Sequence, residues 1–359
     1  MNKKKNKITS MLWLLVICCM LTGCGKNKQK SGLDEVSQDS QKKLQIVTTI
    51  YPPFDFASKV GGDNAEVTML LKPGMESHSY EPTPADILKI MNSDVFLYAG
   101  GESDVWVEKL LTAGETDTKA YALLDWVDPI EEEAVEGMLT RGHSHGHEPA
   151  EETKSGHAEA ESETDAHVHT DSCEAVHLHE EEYDEHVWTS PKNAMLITKK
   201  ICEIFGELDP ANKLLYEENA AQYLEKLQKL DDAFWDIVNK AERKTLIFGD
   251  RFPLLYFVRN YGLDYYAAFP GCSMETEPSA AMIAFLTDKV KEEQIPVIFY
   301  LELSNGKIAE AIAECTGAQT ACFYSGHAVT AADLEAGEDY LSLMYRNVDT
   351  LKIALGEDK

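Results

Sequence analysis

The stretch DPANKLLYEENAAQYLEKLQKLDDAFWDIVNKAER, residues 209–243, decides how the rest of the chain is read. Asp209 is a good N-cap type and Pro210 suits the first helical position, so a helix is expected to begin here. Apolar or small side chains then recur at Tyr216, Ala220, Tyr223, Leu227, Leu230, Phe234 and Ile237. The steps alternate four and three, which gathers these side chains on one face of an α-helix. Running to Arg243, such a helix would be roughly 50 Å long at 1.5 Å per residue. Its buried face carries too many tyrosines and alanines for a strong zipper. A monomer is therefore expected, with the helix as a rigid spacer between two flanking regions.

Both flanks alternate strand and helix. On the N-terminal side, LQIVTTI (44–50) reads as a strand, with Tyr51-Pro52-Pro53 as its stop. A helix over 54–60, a strand over 65–71, a helix opened by Pro84, a strand over 95–99, a helix over 106–111 and a strand over 120–124 follow. Pro191 opens another helix to about Gly206. On the C-terminal side, strands are expected over 245–249, 263–269, 297–301 and 319–324. Helices are expected over 252–261, 278–293 and 305–316, and 333–355 reads as mostly helical. This alternation is the mark of parallel sheets covered by helices. At 359 residues the chain also exceeds a comfortable single core. The expected fold is α/β, with lobes at 44–207 and 244–359 joined by a linking helix over 208–243.

The N-terminal segment reads as an export signal. Lys3, Lys4, Lys5 and Lys7 precede the apolar run MLWLLVICCML, Met11–Leu21. That run is too short to span a bilayer and has the length of a signal-peptide core. It ends in Leu21-Thr22-Gly23-Cys24, which resembles the lipobox of bacterial lipoproteins. Residues 1–23 are thus expected to be removed and Cys24 lipidated, anchoring the protein on the extracytoplasmic face of the cell membrane. Residues 24–43 are polar and aperiodic, and are expected to be a disordered tether. Loss of residues 1–23 removes four lysines and no acid, taking the formal charge from −29 to −33. So acidic a chain does not suit nucleic acid or anionic lipid, and it favours cations. Five cysteines remain beyond Cys24, an odd number that cannot all pair within the chain. Cys202 falls on an apolar helix face, and Cys315 with Cys322 is the candidate disulfide.

Histidine carries the chemistry. Eight of the eleven histidines lie in one tract: His143, His145, His147, His157, His167, His169, His177 and His179. From Arg141 to Glu182 the chain has twelve acids and two bases. Such a composition cannot bury enough surface to fold alone, so 141–182 is expected to be a disordered loop. Imidazole is the commonest side-chain ligand for zinc and similar ions. A floppy segment must lose chain entropy to hold an ion, so the tract is expected to be a weak, multi-ion collector. The remaining three, His78, His186 and His327, each fall in a loop on the strand-to-helix side of a lobe. Open α/β sheets bind ligands at that edge.

LKPGMESHSYEPTPADI (71–87), YDEHVWTSPKNA (183–194), and YFVRNYGL (256–263) followed by EPSA and FYLELSNGKIAE resemble the zinc- and manganese-binding subunits of bacterial ABC metal importers. The likeness runs from about residue 44 to 355. It implies two Rossmann-like lobes joined by one long rigid helix, with metal held between them. It also implies zinc as the transported ligand, and an ABC permease and its ATPase as partners. The histidine- and acid-rich loop is a mark of the zinc members. By this resemblance His78 and His186 are metal ligands. The family's third ligand, His or Glu, stands ten residues before the tyrosine of the YGL motif, where this chain has Arg251. Arginine cannot coordinate a cation. The neighbouring Asp250 is a substitute. The family's fourth ligand is an acid in the loop after the last strand, close to His327. The candidates rank His327, then Asp250, then Cys272, with Glu302 as a hydrogen-bond acceptor bracing the site. A nitrogen-rich shell favours zinc over manganese. A manganese receptor and a surface adhesin are alternatives. A zinc hydrolase is the remotest reading, because no HExxH or comparable pair is present.

Overall fold

The computed structural model describes residues 42–113, 116–138, 182–273 and 278–356. The first lobe holds strands β1 (Leu44–Thr48), β2 (Ala65–Met69), β3 (Val95–Tyr98) and β4 (Lys119–Ala122), in the order β2-β1-β3-β4. The second holds β5 (Thr245–Phe252), β6 (Asp264–Pro270), β7 (Val297–Leu301) and β8 (Gln319–Phe323), in the order β6-β5-β7-β8. All pairings within both sheets are parallel. The two lobes therefore repeat one topology. In each, the strand order reverses beside the first strand, which opens a crevice at the carboxyl ends.

Helices α1 (Tyr51–Gly61), α2 (Pro84–Met91), α3 (Val105–Ala113) and α4 (Pro191–Leu208) belong to the first lobe. Helices α6 (Leu255–Tyr261), α7 (Ala280–Glu292), α8 (Lys307–Thr316), α9 (Ala331–Glu335) and α10 (Tyr340–Leu355) follow α5 (Lys213–Lys240). All seven side chains of the expected face of α5, from Tyr216 to Ile237, are buried. Hydrogen bonds fix this helix to both lobes. Tyr223 donates to Asp55 Oδ2 of α1 at 2.8 Å, and Tyr261 of α6 donates to Asp231 Oδ1 at 2.7 Å. Burial pushes the Asp55 carboxyl up to about 6, against the pull of Lys59 and Tyr223. Among the described residues no helix is long and apolar enough to cross a membrane.

Several boundaries differ from the sequence reading. Tyr51-Pro52-Pro53 is not a stop but the first turn of α1, where a missing N–H costs nothing. The long helix starts at Lys213 after Asn212, not at Pro210. Asp209 instead staples a turn, accepting from Asn212 Nδ2 at 2.6 Å and from the Tyr216 hydroxyl at 2.9 Å. At 28 residues α5 is roughly 42 Å long. The strand expected over 245–249 runs on as β5 to Phe252, and the helix expected from Phe252 starts at Leu255. Cys315 and Cys322 are free thiols, not a disulfide: Cys315 is exposed on α8 and Cys322 is half-buried on β8. Cys202 is also free, and is half-buried. The expected signal segment, Cys24, the tether up to residue 41 and the histidine tract lie outside the described residues.

Candidate metal centre

Three loops bring the isolated histidines together. His78 stands in the long loop between β2 and α2, whose Gly74 N–H donates to Val329 of the second lobe at 2.9 Å. His186 precedes the short 3-10 turn Val187–Thr189, which leads into α4. His327 follows β8. The ring centroids of His78, His186 and His327 form a near-equilateral triangle with sides of 5.3, 5.5 and 5.3 Å. One ligating atom from each lies within 4.8 Å of the others. The buried Trp188 packs edge-on against both His186 and His327, at 5.5 and 5.2 Å. Its carbonyl accepts from the Tyr340 hydroxyl of α10 at 2.7 Å, which ties the first-lobe wall to the second lobe.

Each ring is oriented by its far nitrogen or by its backbone. Asp184 Oδ1 accepts from the His186 backbone N–H at 2.7 Å and faces His186 Nδ1 at 2.8 Å. That contact places the proton on Nδ1 and leaves Nε2 as the acceptor; this atom is buried and has no hydrogen-bond partner among the described residues. His78 Nδ1 faces the Ser103 hydroxyl at 2.8 Å and Glu185 Oε1 at 3.1 Å. Glu185 also accepts from the Ser103 backbone N–H at 3.3 Å and from its hydroxyl. Its fit depends on Gly101, at φ +82°, where a Cβ would stand 2.9 Å from Glu185 Oε2. His327 Nε2 meets the Ser77 hydroxyl at 2.6 Å, and its backbone N–H donates to Ser325 Oγ at 3.2 Å.

The electrostatics differ around the triangle. Burial pushes the His186 imidazole down, but Asp184, with Glu185 and Glu132, holds it above its ordinary value. Burial pushes His327 well below that value, aided by the nearby charges of His186, His78 and Arg251. Burial raises the Glu185 carboxyl, yet its contacts with His78, His186 and Ser103 bring it net below its ordinary value. Two imidazoles backed by carboxylates and one kept neutral by burial make a set of nitrogen donors without a proton to displace at His327. That suits a divalent ion of zinc's type.

Other candidates take different places. Glu302 accepts from the Ser325 N–H at 2.9 Å and hydroxyl at 2.8 Å, and Ser325 in turn holds the His327 backbone. Asp250 does not join the triangle. Its Oδ1 accepts from the Arg251 N–H at 2.8 Å and its Oδ2 from the Leu301 N–H at 3.0 Å, so the carboxylate ties β5 to β7. Cys272 lies beside His78 and Glu185, within 4.8 Å by ligating atoms, rather than in the triple-histidine group. Burial and the acids Glu185, Glu132 and Asp184 push its thiol up, which disfavours the ligating thiolate. Arg251 lines the cavity with the three histidines and donates to Glu76 Oε1 at 3.0 Å. The sequence reading missed Ser77, Ser103, Asp184 and Ser325. Only Asp184 left a signal, an acid two residues before a histidine in an extended segment.

The model of the family described as zinc-uptake complex component A, periplasmic, matches residues 46–354. The chain belongs to this family. It is 32% identical over 348 residues to the zinc-binding lipoprotein AdcA of Streptococcus pneumoniae, covering 96% of this chain and 60% of that one. It therefore spans less than two thirds of the length of that relative. It is 30% identical over 357 residues to the high-affinity zinc uptake system protein ZnuA of Bacillus subtilis, covering 96% of this chain and 97% of that protein. The crystal structure of the Zn(II)-bound ZnuA-like domain of Streptococcus pneumoniae AdcA superposes with a TM-score of 0.64 at 30% identity. That superposition covers 87% of this chain and 99% of the domain.

Proposed function

We propose that this protein is an extracytoplasmic zinc receptor that captures Zn2+ between its lobes and hands it to an ABC-type permease and ATPase for import. The observation that carries the reading is the triangle of His78, His186 and His327, in which the Nε2 of His186 is buried and has no hydrogen-bond partner among the described residues. Membership of the family and the zinc-binding relatives support the choice of ion. Capture rather than catalysis is supported by the state of the acids that back the rings. Glu185 is committed to His78 and Ser103, and Glu302 to Ser325, so neither stands free as a general base. The Leu21-Thr22-Gly23-Cys24 signal supports a lipid anchor on Cys24, and the α5 face, buried within the chain, supports a monomer.

Zinc titration by competition with a chromophoric chelator tests the site. The native chain should show one tight ion, which His186→Ala weakens by about a hundredfold, one ligand's share of a structural-type zinc site. Unchanged affinity in that variant would overturn the assignment. Growth of a deletion strain that is restored by added zinc tests the import role. Growth unaffected by zinc supply would contradict it.

A further inference from the structure

Three imidazoles leave a tetrahedral zinc ion one ligand short. The described carboxylates around the cavity are each engaged elsewhere. Asp184 and Glu185 hold His186 and His78, and both oxygens of Glu302 hold Ser325. Both oxygens of Asp250 hold backbone N–H groups, and Glu76 holds Arg251. The Arg251 guanidinium lines the cavity together with all three histidines, beside its ion-pair partner Glu76 and the Ser325-bound Glu302. A divalent ion placed among the imidazoles would then stand near a guanidinium that Glu76 meets through one carboxylate oxygen, and the added positive charge calls for a further anion in a buried site. An anion lying between the ion and the guanidinium removes that conflict and supplies the missing ligand in one step. Arginine's planar fork matches a carboxylate in particular.

There is room for such an anion to arrive. The triangle's cavity is only about 30 Å³, enough for an ion and little more. Glu76, His78, Arg251, Leu303 and Ser304 also line an adjoining cleft of about 540 Å³. Lys307, at the start of α8, adds a second cation to that cleft. We propose that zinc is bound here as a ternary complex, its fourth position filled by a small carboxylate from solution that Arg251 anchors. This inference rests on the triple-histidine reading of the site.

The test is a competition titration of the full chain at controlled free zinc, with perchlorate as the only anion and then with added acetate. In the native chain acetate should tighten zinc binding by about tenfold, the worth of one charge-assisted contact. Arg251→Gln should bind zinc but lose the acetate effect, and Glu76→Gln should keep it. Binding of 13C-acetate to the zinc-loaded native chain, followed by its line width, gives a readout that needs no variant. No acetate effect on the native chain, or an equal effect in Arg251→Gln, would overturn the proposal. So would an acetate-insensitive native chain whose tight binding is lost in Glu76→Gln, which would make Glu76 the fourth ligand. Failure of the underlying reading is separate: tight zinc would then survive His186→Ala in perchlorate alone.

Discussion

The two lobes share one strand order but contribute differently to the candidate metal site. The first supplies His78 and His186, each backed by a carboxylate at its far nitrogen, Glu185 and Asp184. The second supplies His327, whose ring is met by the Ser77 hydroxyl of the other lobe, and it adds a guanidinium rather than a further ligand. A backing carboxylate fixes the tautomer and makes an imidazole a better donor. Similar sheets can therefore divide the work: the two histidines with carboxylates behind them come from the first lobe, and the one without comes from the second. The divergence lies in loop residues at equivalent sheet edges, which the common topology leaves free to vary.

The division can be broken ligand by ligand. His186→Ala is expected to cost about a hundredfold in zinc affinity and His327→Ala about tenfold, the latter losing a neutral donor without a carboxylate behind it. Calorimetry on both variants measures the gap, and equal losses would erase the proposed asymmetry. Of similar size to the loss at His327, Asp184→Asn should weaken zinc by about tenfold by removing the group that fixes His186. Ser325→Ala should cost only a few-fold (roughly one neutral hydrogen bond), because it acts on the His327 backbone.

Acid should act on His186 before His327. His186 is held above its ordinary 6.5 and His327 well below it. Falling pH therefore puts a proton on His186 in the metal-free protein while His327 is still neutral. Zinc affinity should fall by about tenfold per pH unit for each proton it must displace. In the metal-free fold the sign reverses for His186. Its raised value adds stability that is fully present below its unfolded pKa and is lost as pH rises through the folded one. Affinity that stays flat between pH 8 and 6 would contradict this order. The smallest effect is expected from deleting residues 143–179, which should leave the tight ion in place and remove only weaker ones. Loss of the tight ion in that deletion would move the site into the tract.

Much of the fold was legible because it rests on periodicity. Tyr216 to Ile237 mark a face that is buried in full, and the β-α alternation gave both parallel sheets. What was misread rests on local competition. Proline after a strand reads as a stop, yet Pro52 and Pro53 open α1 because a first helical turn needs no N–H from them. Asp209 has the chemistry of an N-cap but spends it on a turn. The three isolated histidines could be picked out because the chain has no others outside the tract. Asp250 has a residue type that suits a metal as well as it suits two backbone N–H groups, and its bond to the second of these follows from the register of β5 against β7, which the sequence does not display. Ser77, Ser103 and Ser325 were invisible, since serine in a loop is common and its partners are distant in sequence.

The most direct measurement is anomalous diffraction at the zinc edge from crystals of the full chain loaded with one equivalent of zinc. The expected result is one strong peak inside the triangle, about 2.0–2.1 Å from a ring nitrogen of each of His78, His186 and His327. A peak about 2.3 Å from the Cys272 sulfur, or one lacking any of the three histidines, would contradict the site as described.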